Sequence, residues 1–320
     1  MLGHDRKRRG IMTAVDLPAL DGRKPLGFLA AVGLTRLLGQ GGPHGSGPPR
    51  LSWKPSELTA VLHSSFESVD AIVGALTGIV GAIPADAVLP GVPPGLPPAG
   101  EAPDKLRVPP AELSQLASQL AVRSCPEAEA WMTSLVTDLC QDEQGRAAIS
   151  LMAAPSGKQS MFTMLDKPLA LVRERPEYLR EALVGWRRRP GVTGEYLDHQ
   201  VLYDAADAGD GVSEERGVPG ATWLALMAYP LLRTTSSGSN TIITSGWHRR
   251  SGRAELVYPL WSEPLDTHAI VALLEHPMWA AAAAVDVDPP AEARLLSVFE
   301  LGRARRRRIL GRNFAGVLGP

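Results

Sequence analysis

The 320-residue chain is poor in aromatic residues: Phe, Trp and Tyr make up 5% of it. Leu, Val and Ala must therefore fill the core, and a hydrophobic content of 44% is enough for a substantial one. Cysteine is scarcer still, with only Cys125 and Cys140. Two cysteines cannot make a disulfide framework, and their spacing matches no zinc pair, so a reducing cytoplasm is the expected location. Long apolar runs are also missing. None approaches the ~20 residues that span a bilayer, so no membrane partner is expected. The basic start Arg6-Lys7-Arg8-Arg9 looks like the front of a signal peptide, but Asp16 and Pro18 break the apolar stretch behind it. Met12 is an alternative start, which would make residues 1–11 non-native.

The motifs of common hydrolases are absent too. The seven histidines are scattered, and no two fall at a metal-ligand spacing. No Gly-x-Ser-x-Gly elbow surrounds a serine. The turn Met152-Ala-Ala-Pro-Ser-Gly-Lys-Gln159 has the strand–Gly-Lys–helix context of a phosphate cradle. It lacks two residues of a Walker A motif, with Met152 in place of the first Gly and Gln159 in place of Ser or Thr. Contact between Lys158 or Ser156 and a phosphate backbone suits it better than nucleotide hydrolysis, and a plain polar turn is the simplest reading. An acidic stretch runs from Glu195 through Asp198 and His199 to Asp204, Asp207 and Asp210. Carboxylates beside a histidine suit acid–base work, but the spacing matches no metal loop. No metal, cofactor or catalytic residue is therefore assigned.

Glycine (32) and proline (28) are plentiful, so long loops are expected. The most ordered segment is the opening Leu17-Pro-Ala-Leu-Asp-Gly-Arg-Lys-Pro-Leu-Gly-Phe-Leu-Ala-Ala-Val-Gly-Leu34. Asp21-Gly22 supplies a turn, and Pro25 suits the first position of a helix over 25–39. That helix is apolar nearly all round and belongs inside a core. Its small residues imply that another backbone packs closely on it. Short strands are expected at 50–53 and 58–62, and helices at 67–82, 110–121, 126–141, from about 160 to 172, and from 176 to 186. A strand is expected at 147–152, a buried helix at 219–228, and helices at 266–275 and 277–284. The clearest hairpin joins 241–248 to 253–258, and a strand is expected from Ala291 into the arginine run. The fold class is α+β. A Pro/Gly-rich loop or linker at 84–110 separates an N-terminal lobe, 12–83, from a C-terminal lobe, 111–320, unless the two form one continuous domain.

Net charge is −1, but the first ten residues carry +3 and the last twenty +6, leaving −10 between them. Basic clusters also punctuate the acidic body: Arg187-Arg188-Arg189 after Trp186, and Arg249, Arg250 and Arg253 after Trp247. The tail holds Arg303, Arg305, Arg306, Arg307, Arg308 and Arg312. Arginine neutralises phosphate, and a neighbouring aromatic can stack on an unpaired base. Each cluster alone reads as a solvated turn. Three of them in an acidic chain point to a surface for a polyanion. The candidate contacts are Lys158, Arg187, Arg188, Arg189, Arg249, Arg250, Arg253, Arg305, Arg306, Arg307 and Arg308.

Several blocks resemble proteins of type I-G (formerly I-U) CRISPR–Cas loci. Leu20 to Leu34 looks like the start of the effector-associated and helicase-extension proteins of those loci. The further blocks are Ala154-Pro-Ser-Gly-Lys-Gln159, Gly217-Val-Pro-Gly-Ala-Thr-Trp-Leu-Ala-Leu226, Thr244-Ser-Gly-Trp247 and Tyr258-Pro-Leu-Trp-Ser-Glu-Pro-Leu265. The resemblance implies a non-catalytic component of an RNA-guided antiviral system. Its partners would be nucleic acid (guide RNA or target DNA) and CRISPR effector proteins. Two other expectations stand beside it. One is a nucleotide- or small-molecule-binding enzyme that joins the Ser156-Gly157-Lys158 turn to Asp198 and His199. The other is a purely structural subunit that binds proteins.

Overall fold

The computed structural model describes residues 12–40, 47–122, 125–153, 159–203, 214–238, 240–250, 252–284, 289–307 and 317–319. At its centre lies helix α1 (Pro25–Gln40), in which every residue from Pro25 to Leu38 is buried. The turn before it forms as the sequence predicts, with the Asp21 carboxylate accepting the Arg23 N–H at 3.0 Å. Two glycines let α1 touch other backbones. A Cβ on Gly27 would sit 2.3 Å from the Asp21 carbonyl oxygen of strand β1 (Thr13–Asp21). A Cβ on Gly33 would sit 1.9 Å from the Leu224 carbonyl oxygen of helix α7 (Pro219–Leu226). Helix α7 is buried along its whole length. Its Gly220 lies as tightly against the Tyr178 carbonyl of α6 (Glu177–Val184). Strand and helices thus stack at spacings that only glycine permits.

β1 belongs to a three-stranded antiparallel sheet of order β1-β3-β2, with β2 at Arg50–Trp53 and β3 at Thr59–Ser64. Helices α2 (Val69–Ala82) and α5 (Met161–Glu174) pack on α6. Ser68 caps α2, and Ser160 caps α5 in a reciprocal box with Thr163. Helices α3 (Pro110–Val122) and α4 (Pro126–Leu135) follow. Between α2 and α3 the chain has no helix or strand. Its Ala87, Val88, Leu89, Val92, Leu96 and Leu106 are nevertheless buried in the same apolar cluster that runs from Val15 to Leu318.

The second large sheet has order β11-β12-β13-β14, all antiparallel: β11 (Trp247–Arg250), β12 (Arg253–Trp261), β13 (Val298–Arg307) and β14 (Val317–Gly319). It meets α1 through an aromatic hub. The Phe28 ring lies 4.2 Å from Tyr258 and 5.8 Å from Trp53, with Trp261 edge-on to both Phe28 and Trp53 at 6.3 Å. Four aromatic residues thus meet where helix and sheets join. Smaller pairs complete the α+β fold: β4 (Val136–Gln141) with β5 (Ala147–Ile149), and β9 (Thr234–Ser236) with β10 (Ile242–Thr244). A further small sheet has order β6-β8-β7, from Arg189–Pro190, Glu214–Gly217 and Leu202–Tyr203. Helices α8 (Thr267–Leu274) and α9 (Met278–Ala284) flank the second large sheet. No helix among the described residues is long and apolar enough to cross a membrane.

Three boundaries depart from expectation. The helix predicted over 126–141 stops at Leu135, because β-branched Val136 and Thr137 extend and pair with Ile149 and Ala148. The first strand of the predicted hairpin is two strands. Gly246, at φ +80°, turns the chain, so Ile242–Thr244 pairs with β9 and only Trp247–Arg250 pairs with β12. The strand expected from Ala291 starts at Val298, after a 3₁₀ turn over Ala291–Leu296.

Candidate nucleic-acid interface

The register of the second sheet decides where the arginines go. Strand β13 alternates small and basic residues: Gly302, Arg303, Ala304, Arg305. Gly302 lies opposite Tyr258, and Ala304 opposite Leu256. The Tyr258 ring covers Gly302 so closely that a Cβ there would be 2.0 Å from it. Packing large residues over small ones on that face turns Arg303, Arg305 and Arg307 to the other. On that second face Arg305 lies opposite Glu255, and Glu255 opposite His248. Two residues further along, β12 has reached Arg253, which the register pairs with Arg250. Two basic clusters fifty residues apart in sequence therefore meet at one end of one sheet.

Among the described residues, one carboxylate balances them there. Glu255 is 2% exposed, accepts from Arg305 Nε at 2.7 Å, and lies 3.5 Å from Arg303 Nη1. Arg303 also donates to the Ala282 carbonyl of α9 at 2.8 Å. Burial pushes His248 below its ordinary pKa, with opposing pulls from Glu255 upward and Arg303 downward. Arg249, Arg253 and Arg307 are exposed and make no ion pair with a described residue. The exposed end carries a net positive charge that an oligoanion can neutralise.

Other predicted contacts lie elsewhere. Arg306 is in phase with Gly302 and Ala304, so it points to the packed face. There it donates to the carbonyls of Tyr196 (3.0 Å) and Met152 (2.6 Å). Loss of solvent lowers its pKa to about 10. Arg188 is held by Asp198 at 2.6 Å, with further bonds to Gln200 and the Arg216 carbonyl. Arg189 pairs with Glu181 and lies 5.1 Å over the Tyr178 ring. Arg187 alone of that triplet leaves its side chain largely in solvent, 3.9 Å from Glu181. Lys158, Ser156, Gly157, Arg308, Arg312, Asp204, Asp207 and Asp210 lie outside the described residues.

The acidic stretch divides. Asp198 is buried and committed to Arg188, and His199 Nδ1 lies 3.7 Å from it. Glu195 sits in a run of three left-handed residues, Gly194, Glu195 and Tyr196, at φ +57°, +49° and +55°. That conformation costs about 1–2 kcal/mol for each of the two non-glycine residues. Glu195 is 3% exposed, and its partners are Gln159 and Thr193. Burial raises its carboxyl to about 7, against the pull of Lys167 and these two bonds. Tyr229 shares this polar centre. Its hydroxyl donates to the Met152 carbonyl at 3.4 Å, and burial holds its phenol well above the usual range. Gln159, just after the 154–158 turn, thus meets Glu195, while Asp198 faces Arg188. Among the described residues no group of three or more His, Cys, Asp or Glu could hold a metal ion. No protein-family model matches the chain, and no curated protein matches its sequence.

Proposed function

We propose that this protein is a non-catalytic, nucleic-acid-binding component of an RNA-guided CRISPR system, working beside effector proteins. The observation that carries the nucleic-acid reading is the convergence of Arg253, Arg305 and Arg307 on one face of the β11–β13 sheet, with Glu255 the one carboxylate paired there among the described residues. Arg249, opposite Ala254 on the edge strand, lies at the same end of the sheet but on its other face. The CRISPR assignment rests on the resemblance of the α1, α7 and β12 blocks to type I-G proteins. Those blocks pack on one another through Gly33, Phe28 and Tyr258, so they speak for a common core.

The test is binding of the purified protein to labelled single-stranded RNA, single-stranded DNA and duplex DNA across a salt series. The wild type should bind at low salt and weaken steeply as salt rises. The triple variant Arg249→Ala/Arg253→Ala/Arg307→Ala should bind less tightly, with a log–log salt slope shallower by about 2 to 3, since each phosphate contact contributes about 0.7 to 0.9. Absence of binding to all three probes at low salt overturns the proposal. An unchanged slope in the triple variant removes this end of the sheet from it.

A further inference from the structure

A cavity of about 860 Å³ follows the chain through strands β10 and β11, where every residue from Thr241 to Arg249 lines it. The corner between α8 and α9 supplies a further wall. The ladder shows which backbone groups are left over at these strands. The Val257 N–H donates to the Gly246 carbonyl at 2.8 Å, one step before the Trp247–Leu256 pair. Hydrogen-bonded pairs alternate along an antiparallel ladder. His248 therefore exchanges bonds with Glu255, while Trp247 and Arg249 turn their N–H and C=O groups away from β12. β11 is the outermost strand of its sheet, so among the described residues no strand receives those groups. On β10, the Ser245 N–H donates to the Arg233 carbonyl at 2.9 Å, and the same alternation turns Ile242 and Thr244 away from β9. The cavity thus borders two open strand edges.

Charge and face decide what suits the β11 edge. Of the charged lining residues, Arg233 and Glu275 neutralise each other. Arg249 is exposed and has no ion-pair partner among the described residues. It shares the face of Ala254. Helix α9 packs on the opposite face, where Arg303 reaches the Ala282 carbonyl, and it brings Pro277 and Ala280 to the cavity. A strand laid along β11 alternates its side chains between these two faces. One set meets a free cation and the other meets apolar surface. A second copy of β11 is a poor guest, because it gathers the arginines of both copies into one short ladder, where like charges repel.

We propose that the β11 edge takes an added strand from a protein partner, an extended segment that alternates acidic with apolar residues. Its main chain pairs with Trp247 and Arg249. Its acidic side chains meet Arg249, and its apolar ones pack against Pro277 and Ala280. In this mode main-chain bonds give affinity, and the alternate side chains give specificity. The proposal goes beyond the nucleic-acid reading and does not rest on it.

A displayed library of random peptides of about ten residues, selected on the wild-type protein without nucleic acid, tests this. Enriched peptides should alternate acidic and apolar residues. The most enriched one is then synthesised in three altered forms. Two carry N-methyl groups on every second amide, in opposite phases, and the third has lysine for each acidic residue. One methylation phase should abolish binding and the other should be tolerated, since only alternate amides face β11. The exposed substitution Arg249→Glu should weaken the acidic peptide by about tenfold or more and favour the lysine form in its place. A library without binders, enrichment without the alternation, or equal effects of the two methylation phases overturns the proposal. So does an Arg249→Glu variant that keeps its preference for the acidic peptide. A protein that dimerises through β11 in solution also overturns it, giving the edge to a second copy. Nucleic-acid binding, measured separately, stands or falls independently of these results.

Discussion

Glu195 should make the protein less stable as the pH rises through neutrality. In the unfolded chain its carboxyl titrates near 4.5, and in the native state burial holds it at about 7. Below pH 4.5 it is neutral in both states and contributes no difference. Between 4.5 and 7 the unfolded chain ionises first, so native stability falls. Above about 7 both states are ionised and the loss is complete. At 1.36 kcal/mol per unit, the full loss is about 3 kcal/mol. The variant Glu195→Gln stays neutral, keeps the shape, and can still accept from Gln159 while its amide faces the Thr193 hydroxyl. Urea unfolding at pH 4.5, 6 and 8 should show the wild type losing about 3 kcal/mol relative to Glu195→Gln across that range. Taking the difference cancels the titration of His63, His248 and other shared groups. Parallel stability curves would refute the reasoning. A variant markedly less stable than wild type at pH 8 would show that Lys167, with Arg306 and Tyr229 nearby, holds the carboxylate charged.

Three further perturbations probe the core. Gly33→Ala puts a Cβ inside contact distance of the Leu224 carbonyl and should lower stability by about 3 kcal/mol. Gly78→Ala, on α2 with open space around it, should raise stability by up to about 1 kcal/mol; thermal unfolding of the pair reads both signs. Arg36 is buried, ion-paired with Glu127, bonded to the Met227 carbonyl at 3.0 Å and stacked 5.4 Å over Trp131. Burial lowers its pKa to about 9, so it stays charged at neutral pH. Arg36→Leu leaves the partly exposed Glu127 with only its bond from Gln40 among these contacts and should cost about 3 kcal/mol, while adding Glu127→Leu should recover part of it in denaturant titrations.

Helix α1 was legible because its signals agree: a turn at Asp21-Gly22, Pro25 at the first position, unbroken apolarity, and glycines where a second backbone must pass. The same holds for α7 and for the β11–β12 turn. Strand β10 was misread because apolar and β-branched residues continue through Ser245-Gly246, and only the φ of Gly246 reveals the break. The helix over 126–141 ran too far because tertiary pairing with β5 outweighs the pattern after Leu135. At the candidate interface, the clusters were visible but their convergence was not, since register depends on which strands pair. The period of two through Arg303, Arg305 and Arg307 was the available signal, and it separates them from Arg306. The acidic stretch gave no hint that Asp198 answers Arg188 while Glu195 is buried in a left-handed turn. Both facts depend on segments distant in sequence.

Helices α1 and α7 have no wet side, and they meet backbone to backbone at Gly33. Neither can persist in water before the other arrives, yet roughly 180 residues separate them along the chain. During synthesis α1 emerges before α7 and waits for it with its leucines unsheltered except by the β1–β3 sheet. Closing so long a loop makes this a slow and aggregation-exposed folding step. Once closed, the fully buried pair should open with the core, its amides exchanging with solvent through global unfolding.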